Sequence, residues 1–116
     1  FNAGGTVVGW QAATTVDASA LADGVLQFDF KEVSPPPMGS LWRVKLESDG
    51  AATAVEILLT DGGNPSPSAV WQTYTYDLAT LFAGLDLANL KLVMVFPDFG
   101  NADGAVARLD NVMLAP

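Results

Sequence analysis

"GVLQFDFKEV", residues 24–33, decides the fold class, because Leu26, Phe28 and Phe30 alternate with Gln27, Asp29 and Lys31. In an extended chain, successive side chains point to opposite faces, so this stretch has one apolar and one polar side. A helix would place Leu26 and Phe28 on different sides of its axis. The stretch is therefore a half-buried β-strand.

The same period recurs on both sides of it. In "LWRVKLES" (41–48), Trp42, Val44 and Leu46 oppose Arg43, Lys45 and Glu47. Between the two strands Pro35, Pro36 and Pro37 block any ladder, since proline has no N–H to donate. "SDG" (48–50) turns the chain, and "TAVEILLT" (53–60) returns as a hairpin partner that buries Val55, Ile57 and Leu59 and turns Glu56 away. "DGGNPSPS" (61–68) holds only turn formers and small residues and reads as an exposed, mobile loop. In "VWQTYTYDL" (70–78), Gln72, Tyr74 and Tyr76 share one face and Trp71, Thr73, Thr75 and Asp77 the other. Alternation does not say which of these faces is inward.

"ATLFAGLDLANL" (79–90) can hold a helical turn, but Gly84 and the Asp and Asn breaks favour a short 3₁₀ or irregular connection. "KLVMVFPDF" (91–99) is apolar on both faces, as a central strand requires. "TVVGWQAA" (6–13) and Ala105 to Leu114 complete the set. Short strands at this spacing, with long loops and no βαβ pattern, predict an all-β fold: a two-sheet antiparallel β-sandwich, most simply a jelly roll. An immunoglobulin-type sandwich is the alternative. No repeat of solenoid length and no compositional break divides the chain, so residues 1–116 read as one domain.

Composition excludes several functions. With no Cys there is no thiol catalysis, thiolate metal site or disulfide, and with no His the commonest proton shuttle and transition-metal ligand is missing. Five basic against thirteen acidic residues leave a net charge of −8, which repels nucleic acid phosphates and anionic membranes. Neither is an expected partner, and no apolar run approaches the length of a membrane span. The chain opens on Phe1 without a basic-then-apolar leader, which suggests a piece of a longer or processed precursor. Hard cations held by carboxylate and carbonyl oxygens remain available, calcium above all.

Three stretches carry a resemblance when taken together. "LQFDFK" (26–31), "VWQTYTYDLATL" (70–81) and "FPDFGNADGAVARLDNVML" (96–114) resemble, in order and spacing, the galactose-binding-like jelly rolls appended to polysaccharide-degrading enzymes. Carbohydrate-binding modules of families four, eleven and twenty-two are similar, and the C-terminal domain of marine bacterial family-three glucan hydrolases is more so. The resemblance implies a non-catalytic accessory domain of a secreted bacterial glycoside hydrolase, extracellular or periplasmic. It would bind a neutral polysaccharide of β-glucan type, with the catalytic domain in the same chain. A rival implication is structural: the domain packs on its catalytic neighbour and binds no sugar.

The group also implies a structural calcium ion beside the terminal Asp-Asn stretch. Only Asp110 matches a ligand position, and "FNAGGTVVGW" offers Asn2 and backbone carbonyls but no acid before Asp17. The alternative is that Asp110 and Asn111 bond backbone groups at an irregularity in the last strand.

Sugar recognition needs an aromatic ring to stack on the C–H face of a pyranose and fixed polar groups to bond its hydroxyls. Trp10, Trp42 and Trp71 are the stacking candidates. Trp42 shares the Val44 and Leu46 face and so belongs to the core, while Trp71 shares the wetter face of its strand. The expected site sets Trp71 or Tyr76 as platform, with Arg43, Glu56 and Gln27 bonding hydroxyls on one outward sheet face. That face also carries Asp29, Lys31 and Lys45, and a solvated charge ladder explains such residues equally well. A second possibility lies at the sandwich edge, where Phe99 and Asn101 are available. An acid and base pair such as Asp29 with Glu56 would need one carboxyl of raised pKa in a cleft, whereas Lys31, Arg43 and Lys45 favour ionised carboxylates. A non-enzymatic domain is expected.

Overall fold

The structure, a computed structural model, describes residues 8–37, 40–49, 53–98 and 104–116. Among them seven strands run in chain order: β1 Val8–Val16, β2 Val25–Ser34, β3 Trp42–Ser48, β4 Ala54–Leu58, β5 Gln72–Asp77, β6 Leu90–Pro97 and β7 Val106–Ala115. They form a four-stranded sheet of order β1-β6-β3-β4 and a three-stranded sheet of order β5-β2-β7, with every pairing antiparallel. This is the expected all-β sandwich of jelly-roll type. The β3–β4 hairpin forms as the alternation predicts, with Val44 opposite Ile57 and Leu46 opposite Val55. β6, apolar on both faces, is central between β1 and β3.

The core fills the space between the sheets. Leu26, Phe28 and Phe30 of β2 are fully buried, as are Val44 and Leu46 of β3, and Trp42 at the start of β3 is buried with them. The open question of β5 is settled by Tyr74 and Tyr76, which both point inward and expose nothing. The Phe28 ring lies 5.8 Å from that of Tyr74 and 5.7 Å from that of Tyr76. Phe30 meets Trp42 edge-on at 5.2 Å. These offset and edge contacts are the geometries that aromatic quadrupoles favour. A connected row of rings thus ties the three-stranded sheet to β3 of the other.

The connections follow local chemistry. A single turn of helix, α1 (Leu78–Leu81), starts where the Asp77 carboxylate accepts from the N–H groups of Ala79 and Thr80, a standard N-cap. A 3₁₀ turn at Leu87–Asn89 is capped likewise by Asp86. The 61–68 loop, expected to be mobile, is pinned to the sheet edge. Asn64 accepts from Thr75 N–H and donates to the Thr75 carbonyl and the Asp61 carbonyl, while Asp61 accepts from Leu58 N–H. The Asn64 amide therefore serves as one rung of ladder along β5, an edge strand.

β7 carries the irregularity. Gln27 pairs with Met113 but Asp29 with Asp110, so two residues, Asn111 and Val112, oppose Phe28. This is a β-bulge. Asn111 sits at φ 52°, the left-handed region, which asparagine tolerates better than other side chains with a Cβ. The extra residue resets the parity of the strand. Ala107 and Leu109 pack inward before it and Val112 and Leu114 after it, so Asp110 and Asn111 both face solvent.

Candidate functional site

The two sheets present two outer faces, and the residues expected to share one site are divided between them. On the three-stranded sheet the outward side chains form rows across β5, β2 and β7. Thr75, Gln27 and Met113 make one row, and Thr73, Asp29 and Asp110 the next. In the third, Lys31 stands opposite Arg108, and Trp71 comes just before Gln72, the partner of Phe30. Trp71 is 47% exposed, with Val70 and Val33, also exposed, at the same end of the sheet.

Hydrogen bonds hold this face in place. Thr73 Oγ1 donates to Asp29 Oδ1 at 2.7 Å and Asn111 Nδ2 donates to Asp29 Oδ2 at 2.7 Å. The bond from Asn111, then that from Thr73, holds the Asp29 carboxyl below the usual carboxylate range. Thr75 Oγ1 reaches Gln27 Oε1 at 3.3 Å, and Gln27 Nε2 faces the Met113 sulfur at 3.9 Å. Among the described residues, neither Lys31 nor Arg108 enters an ion pair. Of the two acids one row away, Asp29 accepts a hydrogen bond on each oxygen and Asp110 accepts one on Oδ1. Among the described residues neither pairs with the two cations, which are left to donate outward.

On the other outer face, the charges are matched. Arg43 Nε donates to Asp98 Oδ1 at 2.5 Å, and Asp98 Oδ2 accepts from Leu41 N–H at 3.1 Å. The Arg43 bond, then the Leu41 bond, holds the Asp98 carboxyl low, and the Asp98 bond raises the Arg43 pKa. Lys45 pairs with Glu47 at 3.1 Å and stands opposite Glu56 in register.

The expected site placements of Tyr76, Arg43 and Glu56 are corrected by this arrangement. Tyr76 is no platform: it is fully buried and its hydroxyl donates to the Leu59 carbonyl at 2.5 Å, with burial pushing its pKa up. Arg43 and Glu56 do not join Trp71 and Gln27, because β3 and β4 belong to one sheet and β2 and β5 to the other. Sheets pack about 10 Å apart, so the two outer faces point in opposite directions. Asp29 and Glu56 are separated in the same way and cannot act as an acid and base pair. Trp42 is core, as expected. Trp10 stands opposite Val93 in the β1–β6 register, and Asn2, Phe99 and Asn101 lie outside the described residues. Arg108 is the functional candidate that alternation missed, since the bulge hides the parity of β7; counting back from Asp110 in register with Asp29 finds it.

Among the described residues, few free oxygens gather at Asp110 for a calcium ion. Asp110 Oδ1 accepts from Asn111 N–H at 2.8 Å, and the carboxylate opposite, Asp29, already accepts one hydrogen bond on each oxygen. Calcium takes six to eight oxygens, and among the described residues no group of three acidic side chains gathers. The bulge accounts for Asp110 and Asn111 through local hydrogen bonds.

No family model matches the sequence, and no curated protein matches it. Solved structures do. The family 30 carbohydrate-binding module of the cellulosomal cellulase Cel9D-Cel44B of Clostridium thermocellum superposes with a TM-score of 0.69 at 16% identity, over 94% of this chain and 66% of that one. Two further structures of family 30 carbohydrate-binding modules give TM-scores of 0.67 and 0.65 at 17% and 16% identity. This chain spans 58% to 66% of the length of these three. At such identity the likeness is one of fold: this chain shares the β-sandwich of those modules.

Proposed function

We propose that this domain is a non-catalytic polysaccharide-binding module whose binding surface is the outer face of the three-stranded sheet. One observation carries the reading: Trp71 is the exposed tryptophan on that face, beside two cations that form no ion pair among the described residues. The indole stacks on a pyranose ring, and Lys31, Arg108, Gln27 and Thr75 bond hydroxyls along the chain. A neutral ligand suits a domain of charge −8, and β-glucan is the first candidate, supported by the sandwich it shares with a cellulase's module. Such a module raises the local concentration of substrate for a glycoside hydrolase domain in the same exported chain.

The structural alternative draws on exposed Val33 and Val70 beside Trp71, an apolar set suited to packing on a neighbouring domain. Native gels containing laminarin, mixed-linkage glucan, xylan or agarose separate the two. The binding reading expects retardation in a glucan gel that Trp71→Ala abolishes. Unchanged migration in every gel overturns it and favours the packing role.

A further inference from the structure

A second feature lies at one end of the sandwich, where β2 leaves, β3 enters and β4 leaves. There a cavity of about 210 Å³ is lined by Pro35 to Pro37, Leu41, Trp42 and Pro67, with Glu32, Ser40 and Thr60 as its polar members. Its walls are rich in C–H groups, as proline rings and an indole provide. Glu32 Oε2 is occupied, accepting from Trp42 Nε1 at 2.6 Å, but its Oε1 has no partner among the described residues. The Ser40 hydroxyl is buried with no hydrogen-bond partner among the described residues. An unmatched buried hydroxyl is costly, and it marks a place where stability is given up or a ligand completes the bond.

We propose that this cavity is a second site, which holds the terminal pyranose unit of a glycan. Three features set that chemistry. The volume is below the 300 Å³ or so at which pockets begin to take drug-sized ligands, and so suits a single ring. The Glu32 carboxylate, in a domain of charge −8, turns away anions and accepts from hydroxyls. Glu32 Oε1 and Ser40 Oγ have no partner among the described residues and lie with the Thr60 hydroxyl in walls that are mostly apolar, which suits adjacent hydroxyls on a ring with an apolar face. The site is built from β2, β3 and the prolines, whereas the proposed sheet face is built on Trp71 and its row. The inference rests on the polysaccharide-binding reading for its choice of ligand, and on the cavity alone for its place.

The Trp42 indole N–H sits on the bond to Glu32 and reports directly on the site. In ¹⁵N spectra, cellotriose and laminaritriose should each be tried, with glucose as the source not attached to a chain. The expected result is a shift of the Trp42 indole resonance with a trisaccharide, retained in Trp71→Ala. Glu32→Gln, which keeps an oxygen for the indole bond, should weaken this binding about tenfold, the loss expected for one charge-assisted hydrogen bond. Ser40→Ala should weaken it while leaving the melting temperature equal or higher, because it removes an unmatched hydroxyl. Retardation of the polymer with no movement of Trp42 overturns the cavity site and leaves the sheet face standing. Movement of Trp42 without retardation does the reverse, and an equal response to glucose overturns the chain-end assignment in favour of a monosaccharide site.

Discussion

The two outer faces of the sandwich use the same kinds of side chain to opposite ends. On the four-stranded sheet each cation meets an acid: Arg43 meets Asp98 and Lys45 meets Glu47. On the three-stranded sheet the acid Asp29 accepts from Thr73 and Asn111, which are neutral, and Lys31 faces Arg108 across the strands. Like charges directly opposite each other weaken a sheet. One face is closed upon itself and the other holds unspent donors beside an exposed indole. A polar sheet face is thus judged by what its side chains have left to offer rather than by how many of them are charged.

The sharpest way to break this comparison is to remove donors from each face in turn. Lys31→Gln with Arg108→Gln should weaken glucan binding tenfold or more, since hydrogen bonds to charged groups each contribute on the order of 1.5–3 kcal/mol. Arg43→Gln should leave binding within twofold. Affinity electrophoresis at several glucan concentrations reads both, and equal losses would show that the faces do not differ.

Between the faces, Tyr76 tests whether a hydroxyl that sequence places with the sugar belongs to the core instead. Tyr76→Phe leaves the buried Leu59 carbonyl without its partner and should cost about 1–3 kcal/mol in urea unfolding. Glucan retardation should not change. The next effect in size falls on the bulge. Asn111→Ala puts a Cβ residue less tolerant of the left-handed region at φ 52° and loses the bond to Asp29, whereas Asn111→Gly loses only the bond. The glycine variant should therefore be about 1–2 kcal/mol the more stable of the pair.

Acid separates the faces less strongly. Asp98 and Asp29 are both held below the ordinary carboxylate value, so near pH 4 the folded state binds fewer protons than the unfolded one. Their contribution is complete above that range and fades as pH falls through the lowered folded values. Asp98→Asn should flatten the acid limb of a melting-temperature profile through the Arg43 side, and Asp29→Asn through the Thr73 and Asn111 side. Parallel profiles for wild type and both variants would remove these carboxylates from the account.

How far the sequence reaches is visible in the same residues. Alternation placed Leu26, Phe28 and Phe30 in the core and separated Trp42 from Trp71, because a side chain's face within its own sheet is a local property of period two. It could not say which sheet a strand joins. β2 and β3 have nearly the same pattern, yet long-range pairing sends them to opposite sheets, and Arg43 and Glu56 leave the expected site with that choice. Tyr76 was open for a related reason: a strand with tyrosines on one side and threonines and tryptophan on the other is ambiguous until a partner such as Phe28 fixes the inside. Arg108 was hidden by a single inserted residue that reverses parity for the rest of β7.

That inserted residue also yields the smallest expected effect. A calcium ion bound only by the folded state would stabilise it by mass action, so a chelator would lower the melting temperature. At the bulge Asp110 spends one oxygen on the neighbouring N–H, and Asn111 spends its amide on Asp29. The pair is thereby explained as the chemistry of a strand that must hold two consecutive polar side chains outward without losing its inward Leu109 and Val112. Differential scanning with and without EDTA should give the same melting temperature, and Asp110→Asn, which keeps an oxygen for the backbone bond, should also match wild type. A chelator-dependent drop that Asp110→Asn abolishes would instead assign the ion to this carboxylate and require the remaining oxygens to come from outside the described residues.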